Sequence, residues 1–366
     1  MTASPPAPSP EPDRTTPSPW VWDVFCRVVD NYGDVGVCWR LARNLLERGQ
    51  CVRLFIDQAQ ALAWMADPAD RQHPNLSLHA WGSDIDACGD VVIEAFGAQL
   101  PDAAERAMAQ AAAAGRRVCW LNLEYLSAEA DSKYNHGLES PVSSGPAAGL
   151  KKQFFYPGFV RGTGGLLRDS ATTASAQTKP ELPWPPTSMA LFSYDSPTLA
   201  LLINQAHTMG MHICVAAGRT TAHVQALADA QAIATDNITL QPHCSQQQFD
   251  AWLAAQDFLV VRGEDSLTRA IWSGKPFLWH IYPQDDGVHR IKLNAFLDWM
   301  QAPLAMQHAF KTLNGTRSLR DDALLFPANR DEWQQWTSCV RAARDKLLAQ
   351  NDLVTRLLLH VHKTLS

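Results

Sequence analysis

The sequence predicts an α/β protein of two facing Rossmann-like lobes with an interdomain cleft. Three observations carry the prediction. The chain has 366 residues, which at about 150 residues per domain suggests two domains. In both halves, apolar strings rich in β-branched residues alternate with helical spacings, the pattern of parallel sheets covered on both faces. A stretch rich in Gly, Thr, Ser, Ala and Pro, residues 161–188, ends in Pro183-Trp184-Pro185-Pro186 and separates the two alternations.

The first half opens on a strand over 20–29, a loop over 30–34 and a helix over 35–48 with Val37, Leu41 and Leu45 on one face. Gly49 stops that helix and a strand over 51–56 completes a β-loop-α-β unit. A strand over 90–96, an Ala-rich helix over 103–114 stopped by Gly115, and a strand over 117–123 follow, and 154–159 begins a further short segment. The second half reads as a strand over 189–194, a helix over 198–209 ended by Gly210, a strand over 211–217 and a helix over 221–231. Then come a helix over 245–256 with Phe249, Trp252 and Leu253 on its apolar side, a strand over 258–261, a helix over 265–273, a strand over 276–281 and a helix over 288–300. Residues 331–365 are mostly helical, with Trp333, Trp336, Val340, Leu347, Leu353, Leu357 and Val361 forming apolar stripes.

Composition removes several functional classes. Apolar residues at 46% and charged residues at 19% exclude a disordered or collagen-like chain. With 37 acids against 31 Lys and Arg, the net charge of −6 argues against a direct nucleic-acid partner. Eight cysteines are scattered without a Cys-x-x-Cys pair, so neither a zinc ribbon nor a disulfide framework is expected; they read as small hydrophobes in a reducing compartment. Residues 1–19 hold seven of the 23 prolines and no apolar core, a flexible leader and not a signal peptide or membrane anchor. No stretch reaches the ~18 apolar residues of a membrane helix. The expectation is a cytoplasmic protein with no membrane partner. The histidines lack metal-ligand spacing, so no metal site is expected. The nucleotide-binding G-x-G-x-x-G and G-x-x-x-x-G-K-[ST] patterns and the hydrolase G-x-S-x-G are absent.

Three segments fall at the carboxyl ends of predicted strands, where open parallel sheets bind ligands. In Asp30-Asn31-Tyr32-Gly33-Asp34, Gly33 permits a tight turn or close ligand approach, Asp34 is placed to cap the helix, and Asp30 suits a turn. Either acid is alternatively a candidate for chemistry. In Arg262-Gly263-Glu264-Asp265-Ser266, Asp265 or Ser266 suits a helix cap. The functional alternative is a phosphate held by helix-start N–H groups, the Ser266 hydroxyl and Arg262, with Glu264 accepting sugar hydroxyls or gripping a cationic acceptor. In Phe192-Ser193-Tyr194, an aromatic ring can rest against a base or sugar; core packing fits Phe192 better than Tyr194. Tyr282 ends another strand, and its hydroxyl is in reach of a phosphate there.

At these segments the chain resembles the EarP family of bacterial protein-arginine rhamnosyltransferases, which modify translation elongation factor P. The resemblance rests on residues 30–40 (Asp-Asn-Tyr-Gly-Asp-Val-Gly-Val-Cys-Trp-Arg), Phe192-Ser193-Tyr194 and Arg262-Gly263-Glu264-Asp265-Ser266. It includes Leu121-Asn122-Leu123-Glu124-Tyr125 and Pro276-Phe277-Leu278-Trp279, and spans essentially the whole chain beyond the leader. It implies a glycosyltransferase-B fold and metal-independent, inverting transfer of L-rhamnose from dTDP-β-L-rhamnose to an arginine nitrogen, with no cofactor. It puts the family's acids at Asp34, Asp30 and Glu264, with Asp34 the principal base. Donor contacts fall at Tyr32, Gly33, Phe192, Tyr194, Gln246, Phe249, Arg262, Asp265, Ser266 and Tyr282, and His243 stands where an aromatic neighbour of the thymine is expected. It divides the chain into the leader, an acceptor-binding lobe over 20–165, a linker over 166–188, a nucleotide-sugar lobe over 189–344 and a helical segment over 345–366 that packs back on the first lobe. A transferase for a small metabolite or lipid-linked sugar, and a non-catalytic binder of elongation factor P, are the competing readings.

Overall fold

The computed structural model describes residues 19–28, 32–176, 181–284, 287–318 and 323–366. Two of the sequence assignments, Asp30 and all but the last residue of the leader, lie outside these.

The first sheet contains β1 (Val21–Cys26), β2 (Cys51–Ile56), β3 (Leu76–Ala80), β4 (Val91–Ala95), β5 (Cys119–Leu123), β6 (Glu139–Pro141) and β7 (Lys151–Phe155) in the order β3-β2-β1-β4-β5-β7-β6. Every pairing is parallel except β6 with β7. Five of the six residues of β1 are buried because helices cover both faces. Val24, Ile93 and Leu121 face a core shared with Trp39, Leu41 and Leu45; Phe25, Val92 and Trp120 face a second core with Ala104 and Met108. The further segment expected from residue 154 is β7, which begins earlier and ends at Phe155.

The second sheet contains β8 (Ser188–Leu191), β9 (His212–Val215), β10 (Ile238–Leu240), β11 (Phe258–Arg262) and β12 (Phe277–His280), in the all-parallel order β10-β9-β8-β11-β12. Strand order therefore reverses between β1 and β4 in one sheet and between β8 and β11 in the other. Chains leaving adjacent strands in opposite directions open a crevice at their carboxyl ends. The three segments picked out above follow β1, β8 and β11 in the chain.

The chain crosses between the lobes twice. At the first crossing, Leu167 packs in the first lobe's core and Leu166 in the second's. A helix, Ser170–Ala176, follows where the composition reads as loop. The second crossing joins helix Arg330–Leu348 to helix Leu353–Leu365, whose Leu353, Val354, Leu357 and Val361 belong to the first lobe's core. The crossings touch. Leu353 N–H donates to the Leu166 carbonyl at 2.8 Å, and Arg168 donates to the carbonyls of Leu348 and Gln350, each at 3.2 Å. At Gly165 (φ +76°) a Cβ would stand 2.7 Å from the Asn351 carbonyl, so only glycine allows this approach.

Candidate active site

The second lobe's wall is built where β8 and β11 end. β11 passes at Arg262 directly into helix Gly263–Ser273. Gly263 makes that turn at φ +69°, and a Cβ there would lie 3.4 Å from the Tyr194 hydroxyl. Arg262 occupies the N-cap with no side-chain capping bond. Neither Asp265 nor Ser266 caps this helix, because it starts earlier than its apolar spacing suggests and takes both into its first turn. The Ser266 hydroxyl turns back to the Arg262 carbonyl, and the first-turn N–H groups lack a side-chain cap.

The Arg262 guanidinium carbon lies 4.5 Å from the Phe192 ring centroid and 4.7 Å from that of Tyr194. Both rings present π faces to the cation. The expected burial of this pair is reversed: Tyr194 is the buried ring, edge-on to His280 and Tyr282, and Phe192 is the partly exposed one. Tyr194 lies deeper because the chain beyond β8 turns inward against β12. Behind it, His280 Nδ1 is 2.8 Å from the Ser193 hydroxyl. Burial, reinforced by Arg262, pushes the His280 pKa down to about 4, so the ring is neutral near pH 7.

The first lobe's wall is helix Gly33–Glu47. Tyr32 is its N-cap residue and Asp34 falls inside the first turn, 4% exposed. The capping role open to Asp34 in the sequence is therefore not the one it has. The helix starts two residues before its apolar periodicity does, because Gly33 and Asp34 continue it without contributing to the stripe. A hydrogen bond with Cys26, followed by burial, pushes the Cys38 thiol pKa well up, and the negative charge of Asp34 adds to this.

Side chains cross from lobe to lobe. Gln246 Nε2 donates to the Gly36 carbonyl at 2.8 Å, and Leu126 N–H donates to Glu264 Oε2 at 2.8 Å. Trp64 stands between Tyr32 and His243, with centroid separations of 5.4 and 4.7 Å. Arg40 is wholly buried and reaches Asp250 and Asp265 of the second lobe, each at 2.8 Å.

Between the walls is a cavity of about 740 Å³, large enough for a nucleotide-linked ligand. Among the sequence candidates, Tyr32, Gly33, Phe192, Tyr194, Gln246, Phe249, Arg262, Glu264, Asp265 and Ser266 line it. Asp34 lies in the turn between the lining residues Gly33 and Gly36. Tyr282 does not line the cavity; it is 47% exposed and packs edge-on against the lining Tyr194. Arg40, Trp64, Arg219 and Trp252 also line the cavity without having been assigned to it. Arg40 lies within a motif quoted above, but its partners are over 200 residues away. Trp64 occupies a single helical turn, Leu62–Met65, too short to show periodicity. Gln246 Oε1 is buried with no hydrogen-bond partner among the described residues. Among those residues no group of three or more His, Cys, Asp or Glu side chains could hold a metal ion, and no helix is long and apolar enough to cross a membrane.

The family model for EarP, the elongation factor P (EF-P) rhamnosyltransferase, matches residues 22–362. The chain is 37% identical to a protein-arginine rhamnosyltransferase of Pseudomonas putida KT2440, covering 92% of this chain and 97% of that protein. It is 39% identical to one from Pseudomonas aeruginosa PAO1, covering 76% and 81%. A solved structure described as the structural basis for EarP-mediated arginine glycosylation of translation elongation factor EF-P matches with a TM-score of 0.60 and 26% identity, over 94% of this chain and 99% of that one. The Arabidopsis thaliana glycosyltransferase UGT89C1 in complex with UDP shares the fold alone, at TM-score 0.54 and 10% identity over 95% of this chain. The two-sheet architecture is the glycosyltransferase-B fold, and the chain belongs to the EarP family of elongation factor P rhamnosyltransferases.

Proposed function

We propose that the chain transfers L-rhamnose from dTDP-β-L-rhamnose to a side-chain nitrogen of an arginine on elongation factor P, by one inverting displacement in the cleft. The observation that carries this reading is the pairing of the two walls. An uncapped helix start with Arg262 and Ser266 faces an acid-bearing helix start across a cavity of about 740 Å³. The second lobe takes the donor. Helix-start N–H groups and Arg262 meet the diphosphate charge. Phe192 and Phe249, 5.5 Å apart, offer apolar faces to the thymine. The unpartnered Gln246 Oε1 is an acceptor for its N3–H.

The acceptor enters from the first lobe. A guanidinium is permanently protonated and its lone pairs are delocalised, so it attacks poorly unless its charge is held and a proton removed. Glu264 or Asp30 orients the guanidinium and the sugar, and Asp34 takes the proton as the nitrogen bonds to the anomeric carbon. The bond from that carbon to the diphosphate oxygen breaks, its electron pair leaving with dTDP. Back-side attack on a β-donor gives an α-rhamnosyl product. A translation factor as acceptor puts the reaction in the cytoplasm.

Intact-protein mass spectrometry of elongation factor P after incubation with the enzyme and dTDP-β-L-rhamnose tests the reading. One added deoxyhexose, located on an arginine by fragmentation, is expected. An unmodified acceptor, with both partners folded and the donor bound, overturns it.

A further inference from the structure

The charges behind the cavity set a problem for a diphosphate. Asp265 is in the first turn of helix Gly263–Ser273, lines the cavity and is 19% exposed at its side chain. A bare carboxylate there would repel the donor. Arg40 answers that charge from the opposite lobe. Its Nε donates to Asp265 Oδ2 at 2.9 Å, while Nη1 and Nη2 grip both oxygens of Asp250 at 2.8 Å. All three guanidinium nitrogens are thus engaged with the second lobe, and a flat fork is the shape this geometry requires.

Arg269 also faces both aspartates and shares in their charge balance, but it makes no hydrogen bond to either. Its Nη1 donates to Thr172 at 2.9 Å and faces Asp169 at 3.5 Å, while its nearest approach to either Asp250 or Asp265 is 3.9 Å. Its Nε and Nη2 are buried with no hydrogen-bond partner among the described residues.

We infer that Arg40 is a positioning residue of the donor site. From the acceptor lobe it neutralises Asp265 beside the diphosphate, and through Asp250 it holds the Asp34-bearing helix against the donor lobe. This rests on the donor placement proposed above. It assigns two separable effects to one side chain: nucleotide affinity through Asp265, and turnover through Asp250.

The test measures dTDP binding by calorimetry and rhamnosyl transfer at saturating donor for wild type, Arg40→Met, Arg40→Lys and Arg40→Met/Asp265→Asn. Arg40→Met should weaken dTDP about tenfold or more and lower kcat by a similar factor. Adding Asp265→Asn should recover dTDP affinity at least about threefold over Arg40→Met while kcat stays low. A merely structural role predicts no such recovery, since a second substitution in the same network would only add damage. Should Arg40→Met not fold, Arg40→Lys decides. It keeps the charge but cannot grip two carboxylates, so dTDP affinity should be near normal with kcat reduced about tenfold. Wild-type affinity in Arg40→Met, or wild-type kcat in Arg40→Lys, overturns the inference. If the wild-type enzyme itself neither binds dTDP nor modifies elongation factor P, the donor placement fails, and the inference with it.

Discussion

Asp34 and His280 occupy opposite walls of the cleft and make different demands on their surroundings. Asp34 sits in a helix's first turn, where its charge also suits the positive end of the helix dipole. Asp34→Asn keeps shape and hydrogen-bonding capacity but removes the basic oxygen. Turnover should fall about 10²- to 10⁴-fold with little change in the thermal midpoint, measured by quenched assay and calorimetry on the same preparation. His280 is neutral because it is buried, with a pKa of about 4 in the fold against an ordinary 6.5. Between those values the unfolded chain binds a proton that the fold does not, so stability falls as the pH drops from about 6.5 to about 4 and levels off below. With each pKa unit worth about 1.4 kcal/mol, the loss from this one site should be on the order of 3 kcal/mol. Urea unfolding of wild type and His280→Asn at pH 7 and pH 5 should show a shallower pH dependence in the variant.

At the scale of the element, legibility followed burial. β1, β2, β4, β5, β8, β9, β11 and β12 lie inside their sheets or carry long apolar strings, and each shows in the sequence. β3, β6 and β10 are three of the four edge strands; the fourth, β12, is legible because all four of its residues are buried. Leu76–Ala80 is half polar, Glu139–Pro141 is three residues long with a proline, and Ile238–Leu240 is mostly exposed. An edge strand need bury only one side, and its register is set by a partner that local sequence does not contain. The same limit applies within the site. Phe192, Arg262 and Glu264 could be picked out because they end strands or begin helices, whereas Arg40 and Trp64 act through contacts with distant parts of the chain. Caps are local yet no easier to read: Asp34, Asp265 and Ser266 do not cap their helices, and the cap of the last helix, Asp352, stands inside a stretch that reads as continuous helix. Asp352 accepts from the Thr355 N–H at 2.9 Å and its hydroxyl at 2.7 Å. Burial opposes its ionisation, yet those bonds with Arg48 and Arg168 hold its carboxyl below the usual range. Asp352→Ala removes the cap and exposes Arg168 to an unbalanced site, so it should cost about 2 kcal/mol, read as a lower denaturation midpoint with an unchanged m-value.

For the molecule as a whole, the division of labour between the lobes depends on the last helix. Leu353, Val354, Leu357 and Val361 are essentially inaccessible to solvent and complete the first lobe's core, although the whole second lobe separates them from it in the chain. Ending the chain after Gln350 should leave that core open and loosen the acceptor wall, while the second lobe's own core keeps its nucleotide pocket. Hydrogen exchange on the truncated protein should show lost protection in β1, β4 and β5, with β8, β9 and β11 unaffected. Loss of protection across both sheets would mean that the lobes fold as one unit.

The two crossings have a mechanical consequence. Because Arg168 and the Leu353 N–H lace them together, and Gly165 lets their backbones nearly touch, the lobes are joined by one paired tape instead of two independent tethers. A paired tape bends readily about the line across its width but resists shear and twist. Were the contacts across the cleft released, bending across the tape would be the motion left to the lobes, and it would move Asp34 toward or away from the start of helix Gly263–Ser273 without sliding it sideways.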